Sequence, residues 1–430
     1  MNLRRGLGIS LGLLLIAAPL LLSKTLAGTI TLGVGNIESG QGVQLVTNCD
    51  SAVFAQPIPR SIDGVYYLDG IEFSGIDTSS CDNREFKVRA YTNPNIDSNP
   101  QDFSSGLNEI VVRLYGGLFY TVTNNINLQS GDSKGWFSVQ FEGTPTLSSA
   151  NLKKITLTTE RAGPIGECTV TPDDSATFGL TYTFSSIGAC LFTSSHTKNG
   201  ATLEILGGGG GGGGGSAVYN NFDGMGGGGG GGGGGALETR TINLTANAKY
   251  LIIVGRGGAG GSGGSATGSL LGLPGKDGHS SAAFGYRALG GKAGFGASSN
   301  LDSNGLVTNS CTGSTTNGTG GIGGNSGSEN TGGNKNCGYP GGAGGGGAGG
   351  GGAAPSSNLG ANGGVGISGI LGIYGSGGAG GNGGDSSSTS NSSNAINTGS
   401  GGDGGTGTKN GNAGNGGAGA NGVVVLRYTP

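Results

Sequence analysis

The chain is short of the residues from which most catalytic and binding sites are built. Charged residues make up 11% of its 430 positions, with a net charge of −3, two histidines, one tryptophan and two methionines. No basic patch or run is visible, which excludes an electrostatic nucleic-acid partner. The low charge also argues against a charge-rich disordered chain. Six cysteines are present, but none in Cys-x-x-Cys spacing, and with only two histidines a zinc site has no ligand set. After the N-terminal residues no apolar run approaches the ~20 residues that a membrane span needs. No helical period stands out either. No cofactor is expected.

Glycine is what the chain has instead. There are 104 glycines, 22 of them in the first 200 residues and 82 in the last 230. A domain boundary is therefore expected near residue 200. The run Gly207–Gly215 follows a short apolar stretch, Ala201–Leu206, and a second run, Gly226–Gly235, begins ten residues later.

The N-terminus has the form of a secretory signal. Arg4 and Arg5 precede the short apolar stretch Leu7–Leu22, and Thr25-Leu26-Ala27 offers small residues for cleavage after Ala27. Membrane attachment is expected only through an uncleaved N-terminal segment. An exported chain permits disulfides, and the six cysteines fall in three local pairs. The expected bridges are Cys49–Cys81, Cys168–Cys190 and Cys311–Cys337.

Residues 28–160 read as an antiparallel β-sandwich. Short alternating segments such as Phe86–Tyr91 and Ile155–Thr158 are separated by turn pairs such as Asp63-Gly64, Asp69-Gly70 and Gly116-Gly117. Strands are expected near Thr29–Leu32, Gln44–Val46, Val65–Phe73, Glu85–Tyr91, Glu109–Tyr115, Leu118–Thr123, Trp136–Phe141 and Leu152–Thr158. Trp136, Phe137 and Phe141 read as core, with a sugar-stacking platform as the alternative. Residues 161–200 form a small β module or the entry to the glycine-rich half. From residue 201 to 430 the expectation is a glycine-rich domain framed by strands: Thr202–Leu206, a hairpin of Thr239–Leu244 and Lys249–Val254, and a closing strand from Gly422. The first and last of these are expected to pair. The fold class is thus mainly β, with essentially no α-helix after the signal segment.

A glycine has no side chain to bury and loses much backbone entropy when ordered. Extended helices with three residues per turn and ~3.1 Å rise offer one solution, because their N–H and C=O groups all point outward. Buried backbone groups must be paired, so such polyglycine-II helices have to bundle laterally. In Gly377-Gly-Ala-Gly-Gly-Asn-Gly-Gly-Asp385 every third residue carries a side chain, which leaves two bare faces for packing.

Three segments carry a resemblance. They are Leu203-Glu-Ile-Leu-Gly-Gly-Gly, Leu251-Ile-Ile-Val-Gly-Arg-Gly-Gly-Ala-Gly-Gly and the closing Gly-Ala-Asn-Gly-Val-Val-Val-Leu-Arg-Tyr428. Over residues 192–430 the chain resembles the bacterial and phage glycine-rich domain, similar to the polyglycine-helix bundles of phage tail-fibre tip adhesins and of the anaplastic lymphoma kinase ectodomain. The resemblance implies a structural or binding role with recognition in loops at the helix ends. With a secretion signal and a β-rich first half, the expected protein is an exported bacterial surface protein, secreted or on the cell surface, rather than a phage component.

Other motifs reduce to structure. Gly255-x-Gly257-x-x-Gly260 follows a strand, as a dinucleotide fingerprint does, but the helix that would aim at a pyrophosphate is missing. Gly272-Leu-Pro-Gly-Lys-Asp-Gly278 is too short for a collagen helix. Asp385 and Asp403 follow Gly-Gly pairs, as in calcium-binding nonapeptides, without the tandem spacing. His279 and the neighbouring Asp277 make no triad, and no enzyme is expected. The aromatic and apolar residues on non-glycine islands are the candidate contacts: Tyr219, Phe222, Tyr286, Tyr339, Leu371 and Tyr374, with capping of the bundle ends as the other reading. The expected partner is a cell-surface glycan or protein. Self-association into matrix or filament is the alternative, and a secreted carbohydrate-active enzyme a third reading.

Overall fold

A computed structural model describes residues 27–31, 43–45, 49–218 with short gaps, 228–265, 271–297, 318–322, 329–332, 366–379, 399–409 and 412–429 with single-residue to two-residue gaps. The signal segment and the Cys311–Cys337 pair lie outside these residues. The described chain is all β, with no α-helix. It divides into two units. One holds Met1–Leu114, Gly131–Phe137 and Gly143–Gly163; the other holds Tyr115–Ser130, Ser138–Glu142 and Pro164–Pro430.

In the first unit one antiparallel sheet carries the strands Ala27–Thr31, Lys154–Arg161, Arg84–Tyr91 and Ile110–Tyr115, in that order. A second carries Val43–Leu45, Val53–Ile62 and Val65–Ser74. Alternation of apolar and polar residues puts one face of each strand inward. Phe86 and Phe73, one from each sheet, meet on Phe137, with ring centroids 5.8 and 5.1 Å away. All three are fully buried, so Phe137 belongs to the core of a sandwich rather than to a sugar platform. The Cys49–Cys81 bridge is formed. The strand Val53–Ile62 was not among the expected ones, and it contains Pro57 and Pro59. Proline cannot donate to a ladder, and the strand accommodates the pair with a register shift between Ile58 and Pro59.

The second unit is built on two facing sheets. The first orders Asp173–Ser175, Gly179–Phe184, Val423–Tyr428, Lys198–Leu206 and Leu237–Leu244, all antiparallel. The second orders Gly188–Thr193, Lys249–Val254, Ser281–Ala283 and Tyr286–Ala288. The opening and closing strands of the glycine-rich half pair as expected, from Thr202 opposite Arg427 to Leu206 opposite Val423. Residues 161–200 are not a free-standing module: Gly179–Phe184 pairs with the closing strand and Gly188–Thr193 with Lys249–Val254. The Cys168–Cys190 bridge ties this entry segment together.

The expected hairpin between Thr239–Leu244 and Lys249–Val254 does not form. The two strands lie in different sheets, joined by a short turn with Asn247 at φ 63°. Burial explains the outcome. In Leu251-Ile-Ile-Val254, Ile252 and Val254 face the sandwich core while Leu251 and Ile253 face a second cluster with Leu118, Tyr120 and Ala282. Both faces of that strand need cover. Pairing with Leu237–Leu244, whose Thr239, Arg240 and Thr241 are exposed, would have left one face wet. The main core gathers Tyr182, Phe184, Leu203, Ile205, Val424 and Leu426 from the first sheet against Phe192, Ile252 and Ala283 from the second.

Candidate functional site

The strands of the second unit run directly into glycine. Leu206 passes to Gly207, Val254 to Gly255 and Tyr374 to Gly375, while Gly422 leads into Val423. Beyond these junctions the backbone bonds laterally with a period of three. The amides of Gly207, Gly210 and Gly213 donate to the carbonyls of Ala236, Gly233 and Gly230. Those of Gly208, Gly211 and Gly214 donate to His279, Lys276 and Leu273; those of Gly209, Gly212 and Gly215 donate to Ala420, Gly417 and Gly414. In the other direction, carbonyls of the run accept from Gly258, Gly261 and Gly264, from Gly291, Gly294 and Ala297, and from Gly402 and Gly405. The central run therefore touches six neighbouring segments and spends every amide and most carbonyls on them. A three-residue period of lateral bonds is what three-residue-per-turn chains produce. The pairing of this buried run offsets the cost of removing its backbone from water.

The packing explains the composition. A Cβ at any of the nine positions Gly207–Gly215 would lie within 2.3 Å of a carbonyl oxygen of a neighbouring segment. The outer segments need glycine at only part of their positions. In Gly255–Gly264 the side chains fall at Arg256, Ala259 and Ser262, every third residue, and Ala259 and Ser262 are exposed.

Where an outer segment lacks a neighbour, a side chain takes its place. Asn421 and Asn415 accept from the amides of Gly257 and Gly263, at 3.0 and 2.8 Å. Asp403 accepts from Ala379 at 2.7 Å, Asp277 from Ala293 at 2.8 Å, and Glu204 from Ile370 at 2.8 Å. Asp403, which read as a possible calcium ligand, is thus engaged as a backbone acceptor. Asn415, Asn421 and Glu204 were not singled out in the sequence; for the two asparagines the signal was their place among the glycines, six residues apart, while Glu204 lies inside the strand Lys198–Leu206. Between the two asparagines Ala418 is exposed. Ala418→Asn would add an acceptor for Gly260 and is expected to raise stability by about 0.5–1.5 kcal/mol, the net worth of one hydrogen bond, read as a higher denaturation midpoint.

An ionic group sits on the flank of the bundle. Glu142 takes Arg256 Nη2 on both oxygens at 2.8 Å and His279 Nε2 on Oε1 at 2.8 Å. Burial pushes the Glu142 carboxyl up, but hydrogen bonds and charge from His279 and Arg256 outweigh it and hold the group below the usual carboxylate range. Asn127 and Gln129 donate to the Asp277–Gly278 backbone, and Lys276 Nζ to the carbonyl of Phe141 at 2.8 Å. His279 is thereby a bridge to structure, with no nucleophile in its contacts.

Of the expected contact residues, Tyr219, Phe222, Tyr339 and Leu371 lie outside the described residues. Tyr286 is 38% exposed, on the tight turn through Phe284 and Gly285, and the Arg240 guanidinium lies 5.2 Å over its ring. Tyr374 is 2% exposed and packs with Leu206, Leu237, Val423 and Val425. It closes the end of the sheet and offers no surface to a ligand, because the Ile367–Tyr374 hairpin folds it inward. Among the described residues no group of His, Cys, Asp and Glu is placed to hold a metal ion.

The glycine-rich domain model matches residues 186–429. The chain belongs to the glycine-rich domain family. No curated protein matches it. The family boundary at residue 186 falls inside the second unit, just before the Gly188–Thr193 strand. Among the described residues no helix is long and apolar enough to cross a membrane. The two disulfides are compatible with an extracellular place.

Proposed function

We propose that this member of the glycine-rich domain family is an exported, cell-surface scaffold whose bundle of polyglycine-II helices presents connecting segments to a surface glycan or protein. The observation that carries the reading is the six-neighbour bonding of Gly207–Gly215. A core of paired backbone with no side chains has little room to rearrange. A rigid body of this kind is suited to holding loops in place.

At the end away from the sheets the described segments stop at Val218, Ser265, Ala297 and Lys409 and resume at Gly228, Leu271 and Asn412. The sequence between Val218 and Gly228 contains Tyr219 and Phe222. Aromatic residues in such connections are suitable anchors for a ligand. Among its described residues, no feature of the second unit favours catalysis over binding.

The test replaces residues 219–225 by glycine and serine and compares binding of both proteins to a glycan array and to intact cells. Amide exchange across Gly207–Gly215 serves as the control for folding. Binding that falls at least tenfold with exchange unchanged is the expected result. Equal binding by both proteins, or no binding by the folded parent, overturns the proposal.

A further inference from the structure

Within the bundle, one segment presents a row of amides on its outer side. In Gly255–Gly264, the amides of Gly258, Gly261 and Gly264 donate to the central run. Those of Gly257, Gly260 and Gly263 form a second row, also three residues apart. Each of these three is glycine for a packing reason: a Cβ there would meet the carbonyl of Gly419, Gly416 or Ala413. Two of the three amides are satisfied by side chains, Asn421 on Gly257 and Asn415 on Gly263. The third has Ala418 at the matching step and, among the described residues, no acceptor.

We infer that Asn415 and Asn421 close a lateral edge of the bundle against a second copy of this chain. The row would otherwise show donors at a pitch of roughly 9 Å, three residues at ~3.1 Å each. That is the pitch at which a glycine segment presents carbonyls, as Gly209, Gly212 and Gly215 do to Gly258, Gly261 and Gly264. The exposed glycine segment of another molecule is thus the occupant whose period fits. An open row of amides invites pairing as an unprotected sheet edge does, and natural sheets cover such edges. Here a carboxamide on the adjacent segment does so without adding charge. The spacing of the two asparagines, six residues apart, places both on the same side of their segment.

The experiment compares the secreted chain with the double variant Asn415→Ala, Asn421→Ala by sedimentation velocity over a hundredfold concentration range. Amide exchange of Gly257 and Gly263 is followed in the same samples. The parent is expected to stay monomeric, with both amides slow at every concentration. The variant is expected to show at least a tenfold larger dimer fraction at the highest concentration, with the two amides protected only there. A variant that keeps slow exchange across Gly207–Gly215 and stays monomeric overturns the inference. Should the double variant lose the bundle, each single variant opens one amide and is read by the same two criteria. Ala418→Asn, which closes the third position, must not increase association; if it does, the edge is not what holds the copies apart.

Discussion

Gly211→Ala is expected to unfold the glycine bundle, although it adds a single methyl group. The Cβ would lie 2.0 Å from the carbonyl oxygen of Ala259, and the atoms it meets are backbone, not the end of a flexible side chain. Relief requires the 255–264 segment to move outward. That segment also bonds the central run through Gly258, Gly261 and Gly264, and bonds the 413–422 segment through the carbonyls of Gly255, Gly258 and Gly261. Several paired groups would open together. Overpacking a well-packed core costs typically 1–3 kcal/mol, and here no side chain can rotate away, so about 3 kcal/mol or more is expected. The reverse change on the outer face, Ala259→Gly, removes an exposed methyl and is expected to cost under about 1 kcal/mol, mostly from chain entropy. Thermal unfolding of the two variants beside the parent checks both. A Gly211→Ala protein that melts with the parent would mean that the bundle yields locally, and the rigidity on which a presenting scaffold depends would be lost with it.

Much of this arrangement was legible in the sequence, for a simple reason. Homopolymeric glycine leaves few ordered structures open, and backbone pairing is the constraint common to them all. The pairing of Thr202–Leu206 with Val423–Tyr428 followed from two apolar runs bracketing the glycines. The bridges Cys49–Cys81 and Cys168–Cys190 followed from proximity along the chain.

Tertiary cover decided the features that stayed hidden. The run Leu251–Val254 looks like half of a hairpin until its second apolar face is counted, and that face is covered by Leu118 and Tyr120, far away in sequence. Tyr115–Ser130 and Ser138–Glu142 look like ordinary sandwich strands, yet they group with the glycine-rich half. No local pattern in residues 115–142 announces this, because the partners, such as Arg256 and His279, sit more than a hundred residues on. Tyr374, an aromatic on a non-glycine island, read equally as a ligand contact or as a cap on the bundle end, and its burial agrees with the second. Position in a short hairpin, not residue type, turned it inward. The strand Val53–Ile62 carries Pro57 and Pro59 without alternation that marks it out, and a register shift between Ile58 and Pro59 keeps it in the sheet.

Glu142→Ala is the second change expected to have a large effect, and its pH dependence tells why. The side chain is 11% exposed and so is that of His279, while Arg256 is 33% exposed. Removing one partner of a buried ion pair costs about 3–5 kcal/mol. Arg256 reaches solvent in part, so about 2 kcal/mol is the expected loss. The sign of the pH effect follows from the direction of the shift. The Glu142 carboxyl is held below the usual carboxylate range when folded. A group with a depressed folded value contributes stability that is fully present above its unfolded value and is lost as pH falls through the folded one. The parent should therefore lose stability in acid faster than Glu142→Ala, and the gap between their unfolding free energies should narrow as pH falls through the carboxylate range, below the ordinary glutamate value, and not between neutral pH and that range. Glu142→Gln separates charge from packing: it keeps the shape and one acceptor, and should lose the pH dependence while retaining part of the stability. Denaturant unfolding of the three proteins at neutral pH and at stepwise lower pH measures this. A gap that stays constant with pH would mean that Glu142 holds the flank of the bundle by packing alone, and that the Arg256 and His279 contacts add no charge-dependent stability.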